Sequence, residues 1–176
     1  DALGDTTTGG QNNAFGDGAM DKNTIGCRNV AMGNSALFSN TEGLCNTALG
    51  HIAMYDNTTG DANVALGACA LENNTTASNN IAIGICALKV NTTGSTNTAI
   101  GKESMDANTT GSNNVALGKG SLSSNTTASN NTGIGFNALS ANTTGTENVA
   151  MGRDALKVNT TASYNTAVGF EALHDN

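Results

Sequence analysis

Three observations on this 176-residue chain predict an all-β fold, a parallel β-solenoid (β-roll or β-helix) with one 17-residue coil per repeat. A glycine returns at every seventeenth residue: Gly16, Gly33, Gly50, Gly67, Gly84, Gly101, Gly118, Gly135, Gly152 and Gly169. Asparagine stands four residues before each of them, and a second asparagine column keeps the same interval. Proline is absent, and threonine, asparagine and 22 glycines leave no repeat with a helix-length run of strong helix formers. Self-similarity at fixed spacing marks folds in which each unit buries its apolar face only against its neighbours. Residues 1–176 therefore read as one array, with coils closing at those glycines and a partial coil over 170–176.

Counting position 1 as the residue after each glycine, one coil reads F-N-A-L-S-A-N-T-T-G-T-E-N-V-A-M-G from Phe136 to Gly152. Alanine or serine at position 3 and leucine or methionine at position 4 read as a short strand. Positions 7 to 12, N-T-T-G-S-N from Asn108 to Asn113, read as a turn-rich side. Glycine at position 10 gives way only to Ala77, Ala128 and Ala162, which reads as a turn that prefers positive φ without demanding it. Positions 13 to 17, as in N-V-A-L-G, alternate β-branched, small and large apolar residues with the period of a strand. The lack of proline suits strands that must bond on both edges. Coils stacked about 4.8 Å apart give a rod of about 50 Å.

Methionine locates the core, because it replaces leucine best inside one. Met20, Met54 and Met105 take position 4, and Met32 and Met151 take position 16. The expected buried rows are thus position 4 (Leu37, Met54, Leu71, Leu88, Met105, Leu122, Leu139, Leu156) and position 16 (Leu66, Ile83, Ile100, Leu117, Ile134, Met151), with Phe15 in the second row. The apolar content of each coil is thin against the entropy of ordering it, so burial against another copy is expected, as a homo-oligomer.

The position-13 asparagines, Asn29, Asn46, Asn63, Asn80, Asn97, Asn114, Asn131, Asn148 and Asn165, read as an amide ladder along the rod. The position-7 column runs from Asn23 to Asn176, with threonine at Thr6. Within it Asn57, Asn74, Asn91, Asn108, Asn125, Asn142 and Asn159 each open N-T-T, a glycosylation acceptor pattern on a turn, and these are candidate glycan sites. The two threonines are adjacent, so alternation turns them to opposite faces, which counts against an ice-binding solenoid.

Cys69 and Cys86 share position 2 on successive coils, so their Cα atoms are expected about 4.8 Å apart, within disulfide range. Cys27 and Cys45 lie on adjacent coils one column apart and form a weaker candidate pair. A zinc site would need the two pairs brought together, so no metal is expected. Disulfides, if formed, imply an oxidising, extracellular setting.

Net charge is −7, which opposes nucleic acid and anionic lipid as partners. Lys102, Lys119 and Arg153 share position 1, and Lys89 and Lys157 share position 5. His51 and His174 fall on distant coils and no acidic column converges on either, so no catalytic residue and no cofactor is expected. Asp5, Asp17, Asp21, Asp56 and Asp61 do not repeat as solenoid calcium ligands would. Phe38 and Tyr55 share position 5 and read as a small contact patch, whereas Phe136, Phe170 and Tyr164 read as exposed and scattered.

The motifs N-V-A-L-G, N-I-A-I-G, N-T-A-I-G and N-V-A-M-G resemble the strand motif of the YadA-like head repeats of trimeric autotransporter adhesins, and they recur in nearly every coil. Similar repeats occur in phage fibres and other long surface proteins. The resemblance implies a left-handed parallel β-roll, three chains side by side, and a rigid surface structure that binds host, matrix or saccharide components. The coil here is longer than in those heads, with the extra residues in the N-T-T-G-S-N side. The expected function is a structural, non-catalytic segment of an extracellular fibre or adhesin head, at a cell or virion surface, binding through variable outward columns. The alternative is a self-assembling extracellular filament subunit, joined end to end and coated with glycan. The chain starts and stops inside a unit, which fits a piece of a longer array or an end-to-end filament. No direct membrane insertion is expected of this segment.

Overall fold

Each strand forms where the alternation N-V-A-L-G begins to put one small residue inward between two larger outward ones. The computed structural model describes residues 2–5 and 8–175. Its ten three-residue strands are β1 (Asn13–Phe15), β2 (Val30–Met32), β3 (Thr47–Leu49), β4 (Val64–Leu66), β5 (Ile81–Ile83), β6 (Thr98–Ile100), β7 (Val115–Leu117), β8 (Thr132–Ile134), β9 (Val149–Met151) and β10 (Thr166–Val168). They form one parallel sheet in chain order. Every pairing keeps one register, so Ala31 lies beside Ala48 and Ala48 beside Ala65. Among the described residues there is no helix, and the chain is a β-solenoid of about nine turns. Thr6 and Asn176, from the position-7 column, lie outside the described residues.

The closing glycine is required twice over. Its φ lies between +127° and +139° in all ten copies, a region that side chains with a Cβ avoid. A Cβ on Gly33 would also stand 2.5 Å from the Gly50 carbonyl oxygen of the next coil. Position 10 differs, and here the expectation of a positive-φ turn is corrected: no described residue at that position has one. Glycine is favoured there for room, since a Cβ on Gly60 would lie 2.3 Å from the Ala77 carbonyl oxygen.

Positions 3 and 4 form a tight turn, not the second strand that the sequence suggested. Position 4 takes left-handed φ values, as at Met20 (51°), Leu37 (53°) and Leu88 (50°). Placing a bulky residue there costs about 1–2 kcal/mol. Complete burial of a leucine or methionine returns about 1.5–3 kcal/mol, so burial holds the corner in place. The turn still joins the stack, because Leu37 N–H donates to the Ala53 carbonyl at 2.9 Å. Positions 2 and 12 supply further left-handed corners, as at Glu103 (57°) and Asn113 (59°).

The core is a spine of position-4 leucines and methionines flanked by alanines from positions 3 and 15, all buried from the Met20 coil to Leu156. Position 16 is outside it, which corrects the second expected row. Leu66, Leu117 and Met151 are exposed, and Ile83, Ile100 and Ile134 are half-buried. Phe15 is 73% exposed. A three-residue strand turns only its middle side chain inward, and the gap between sheet and spine admits only a small one. A Cβ on Gly133 would meet Ser121 Oγ at 2.6 Å and Leu122 Cγ at 3.3 Å, so glycine replaces alanine where serine intrudes from position 3.

Candidate functional site

Alternation on β1 to β10 leaves positions 14 and 16 together on the outer face of the sheet. From Val30 to Thr166 position 14 is always Val, Ile or Thr, and position 16 is Met, Leu, Ile or Val from Met32 to Val168. In-register pairing stacks these into two parallel columns along the rod, position 16 apolar throughout and position 14 interspersing threonine with valine and isoleucine. Met32 is 50% exposed, Leu117 43% and Val168 69%.

The two asparagine columns form hydrogen-bonded ladders inside the coil. Asn46 N–H donates to Asn29 Oδ1 at 2.8 Å, and Asn46 Nδ2 donates to the Gly60 carbonyl at 2.7 Å. Asn57 Nδ2 donates to Asn40 Oδ1 at 2.8 Å and to the same Gly60 carbonyl at 3.1 Å. The ladders thus meet at the position-10 carbonyl, and the pattern repeats along the rod, as at Asn80, Asn91 and Gly94. Position 13 is fully buried from Asn29 to Asn148, and Asn165 ends it half-buried. Position 7 also lies inside, which corrects the glycan candidates. Asn57, Asn74, Asn91, Asn108, Asn125, Asn142 and Asn159 have no exposed surface, and the Nδ2 atom that would carry a sugar spends both its hydrogens on buried acceptors. Asn159 Oδ1 closes the ladder without a partner among the described residues.

The position-8 threonines turn inward enough for Thr58 Oγ1 to donate to the Thr75 carbonyl at 3.0 Å, and Thr59 beside it is exposed. The neighbours face differently, as alternation requires.

All four cysteines are free, and no pair lies at bonding distance. Burial pushes the Cys69 thiol up from its ordinary value, and the neighbouring Cys86 and Glu72 add to the rise. The expected Cys69–Cys86 disulfide fails because residues stacked in one column leave the backbone in parallel. Their Cβ atoms then keep the rung spacing of about 4.8 Å, above the roughly 3.5–4.5 Å a disulfide uses. Cys45 N–H donates to the Cys27 carbonyl at 3.0 Å, but positions 11 and 12 direct their side chains differently. Cys27 Sγ instead donates to the Ile25 carbonyl at 3.2 Å.

Variable columns carry the remaining surface chemistry. Phe38 and Tyr55 stack with centroids 5.1 Å apart and planes 4° from parallel, and Lys22 Nζ sits 5.1 Å from the Phe38 centroid. Position 1 holds a ladder that sequence reading missed: Lys119 lies 5.8 Å from Phe136, and Arg153 lies 6.0 Å from Phe136 and 5.5 Å from Phe170. The shared 17-residue spacing of Lys119, Phe136, Arg153 and Phe170 was the available signal. Asp154 is buried between Arg153 Nε at 3.0 Å and Lys157 Nζ at 3.1 Å. Its burial acts to raise the carboxyl, but hydrogen bonds and charge from Lys157 and Arg153 outweigh this and hold it below the usual range.

The described residues enclose no cavity and gather no group of three metal-ligating side chains. His51 is exposed at position 1, and His174 pairs with Asp175 at 2.6 Å on the last coil. Among the described residues no helix is long and apolar enough to cross a membrane. No protein family, curated protein or solved structure matches this chain.

Proposed function

We propose that this chain is a rigid, non-catalytic segment of an extracellular fibre or adhesin head at a cell or virion surface, assembled from several copies. The apolar stripe of positions 14 and 16 carries this reading. Nine aligned strands, β2 to β10, present it along the rod, and water is a poor neighbour for its apolar side chains. A second and third copy of the same stripe is its natural cover, side by side as the N-T-A-I-G resemblance implies. Ligand contact with host, matrix or saccharide partners then falls to the variable columns at positions 1, 5 and 12, which the stripe leaves free.

Light scattering on the purified protein tests the assembly. A mass of about three chains, reduced to one chain by Ile100→Asp with Leu117→Asp, supports the proposal. A wild-type monomer at high concentration sinks it. Electron microscopy separates a discrete head from the alternative of continuous rods joined end to end.

A further inference from the structure

The thiols of Cys69 and Cys86 are the one pair of soft, nucleophilic groups that the coil stacks in a single column. Both residues have nearly the same backbone conformation, φ 58° and 59°, and each amide is bonded to the previous coil, Cys69 to His51 at 3.1 Å and Cys86 to Ala68 at 3.0 Å. The two side chains therefore leave a fixed backbone in parallel, one rung apart, partly exposed to solvent. A disulfide needs them closer than the rungs allow. A bridging ion asks for less: thiolate–metal bonds are about 2.3 Å long, so two of them span S···S separations up to about 4.6 Å, which a small lean of the two side chains from the rung spacing of about 4.8 Å supplies.

We propose that Cys69 and Cys86 form a two-thiolate site for a soft, closed-shell cation, monovalent copper by chemical class, which ties two adjacent coils together. Such an ion is satisfied by two sulfur ligands, so the lack of any third ligating group among the described residues is no obstacle. Binding involves no change of oxidation state. Each thiol gives its proton to solvent, and the sulfur lone pair forms the bond to copper. Cys27 and Cys45 supply an internal control, because they occupy adjacent coils but different columns, and Cys27 Sγ is already engaged with the Ile25 carbonyl.

The test is anaerobic titration of the reduced full chain with Cu(I) in competition with a chromogenic Cu(I) chelator, followed by X-ray absorption at the copper edge. The expected result is one tightly held copper per chain with two sulfur neighbours. Cys69→Ser and Cys86→Ser should each weaken binding by more than the roughly 10–100-fold that loss of a merely supporting partner costs. Ser35 already occupies the same column, so these variants retain the fold. Cys27→Ser with Cys45→Ser should leave affinity and stoichiometry unchanged. Failure to compete with the chelator, equal loss from the Cys27 and Cys45 variant, or a copper bridging two chains would each overturn the assignment.

Discussion

Positions 4 and 16 hold the same kinds of side chain and have opposite fates. Leu88 is wholly buried and Ile100, on the following strand, is half open to solvent. Hydrophobicity alone does not separate them. The difference lies in the backbone: position 4 sits on a left-handed corner that aims its side chain along the coil's interior, and position 16 sits at the outward end of a three-residue strand. One column makes the coil, and the other stays on its outside.

The largest expected effect comes from placing a charge on each column. Leu88→Asp buries an unpaired carboxylate where no donor waits, and the chain should lose its β circular dichroism. Ile100→Asp should keep that signal and shift only the assembled mass. If both substitutions unfold the chain alike, the outer column belongs to the core after all.

Next in size is the polar counterpart of the spine. Asn91 Nδ2 donates to Asn74 Oδ1 at 3.1 Å, and Asn91 Oδ1 accepts from Asn108 Nδ2 at 2.8 Å. Asn91→Ala leaves both neighbours wanting, at about 1–3 kcal/mol for each buried group orphaned. Thr93→Ala, two residues on and exposed, should change stability by less than about 0.5 kcal/mol. Urea denaturation midpoints of the two variants measure the contrast. Equal shifts would mean that the ladder adds nothing beyond ordinary surface bonding.

How far the sequence spoke can be judged from these same residues. The period, the parallel stack and the position-4 spine were legible, because glycine at position 17 and leucine or methionine at position 4 hardly vary. Position 16 was misread because a three-residue strand offers too few alternations to say which end faces inward, and alanine, the residue that does, looks like filler. The left-handed leucine corner left no signal, since leucine is not a turn residue and burial alone holds it there. Asn57 was read as a glycan acceptor from its neighbours Thr58 and Thr59. Its hydrogen bond to Asn40 Oδ1, seventeen residues back, exists only once successive coils stack.

A milder substitution sharpens the contrast between columns. Leu88→Met should cost less than about 1.5 kcal/mol, because Met54 and Met105 already fill that column without disturbing it. Leu88→Ala should cost about 2–5 kcal/mol, and Ile100→Ala clearly less in the dissociated chain, which has solvent there already. Thermal melts under dissociating conditions rank the three.

The smallest effect extends the comparison to charges. Asp154 is an acid on a buried position whose carboxyl is held low, so its contribution is present above the ordinary carboxylate pKa and is lost as pH falls through its depressed one. Asp56 and Asp106 behave oppositely. Burial raises both, helped by the charge of Glu72 at Asp56 and of Glu103 at Asp106, so their ionised forms disfavour the fold and protonation relieves it. Acidification through the carboxylate range should therefore loosen the coil 153–169 relative to the coils 51–118. Amide hydrogen exchange, corrected for its intrinsic pH dependence, reads this directly. Asp154→Asn should shrink the difference to the part that Asp56 and Asp106 contribute, and a coil 153–169 that grows more protected in acid would show that Arg153 and Lys157 do not hold the carboxylate as their 3.0 Å and 3.1 Å contacts imply.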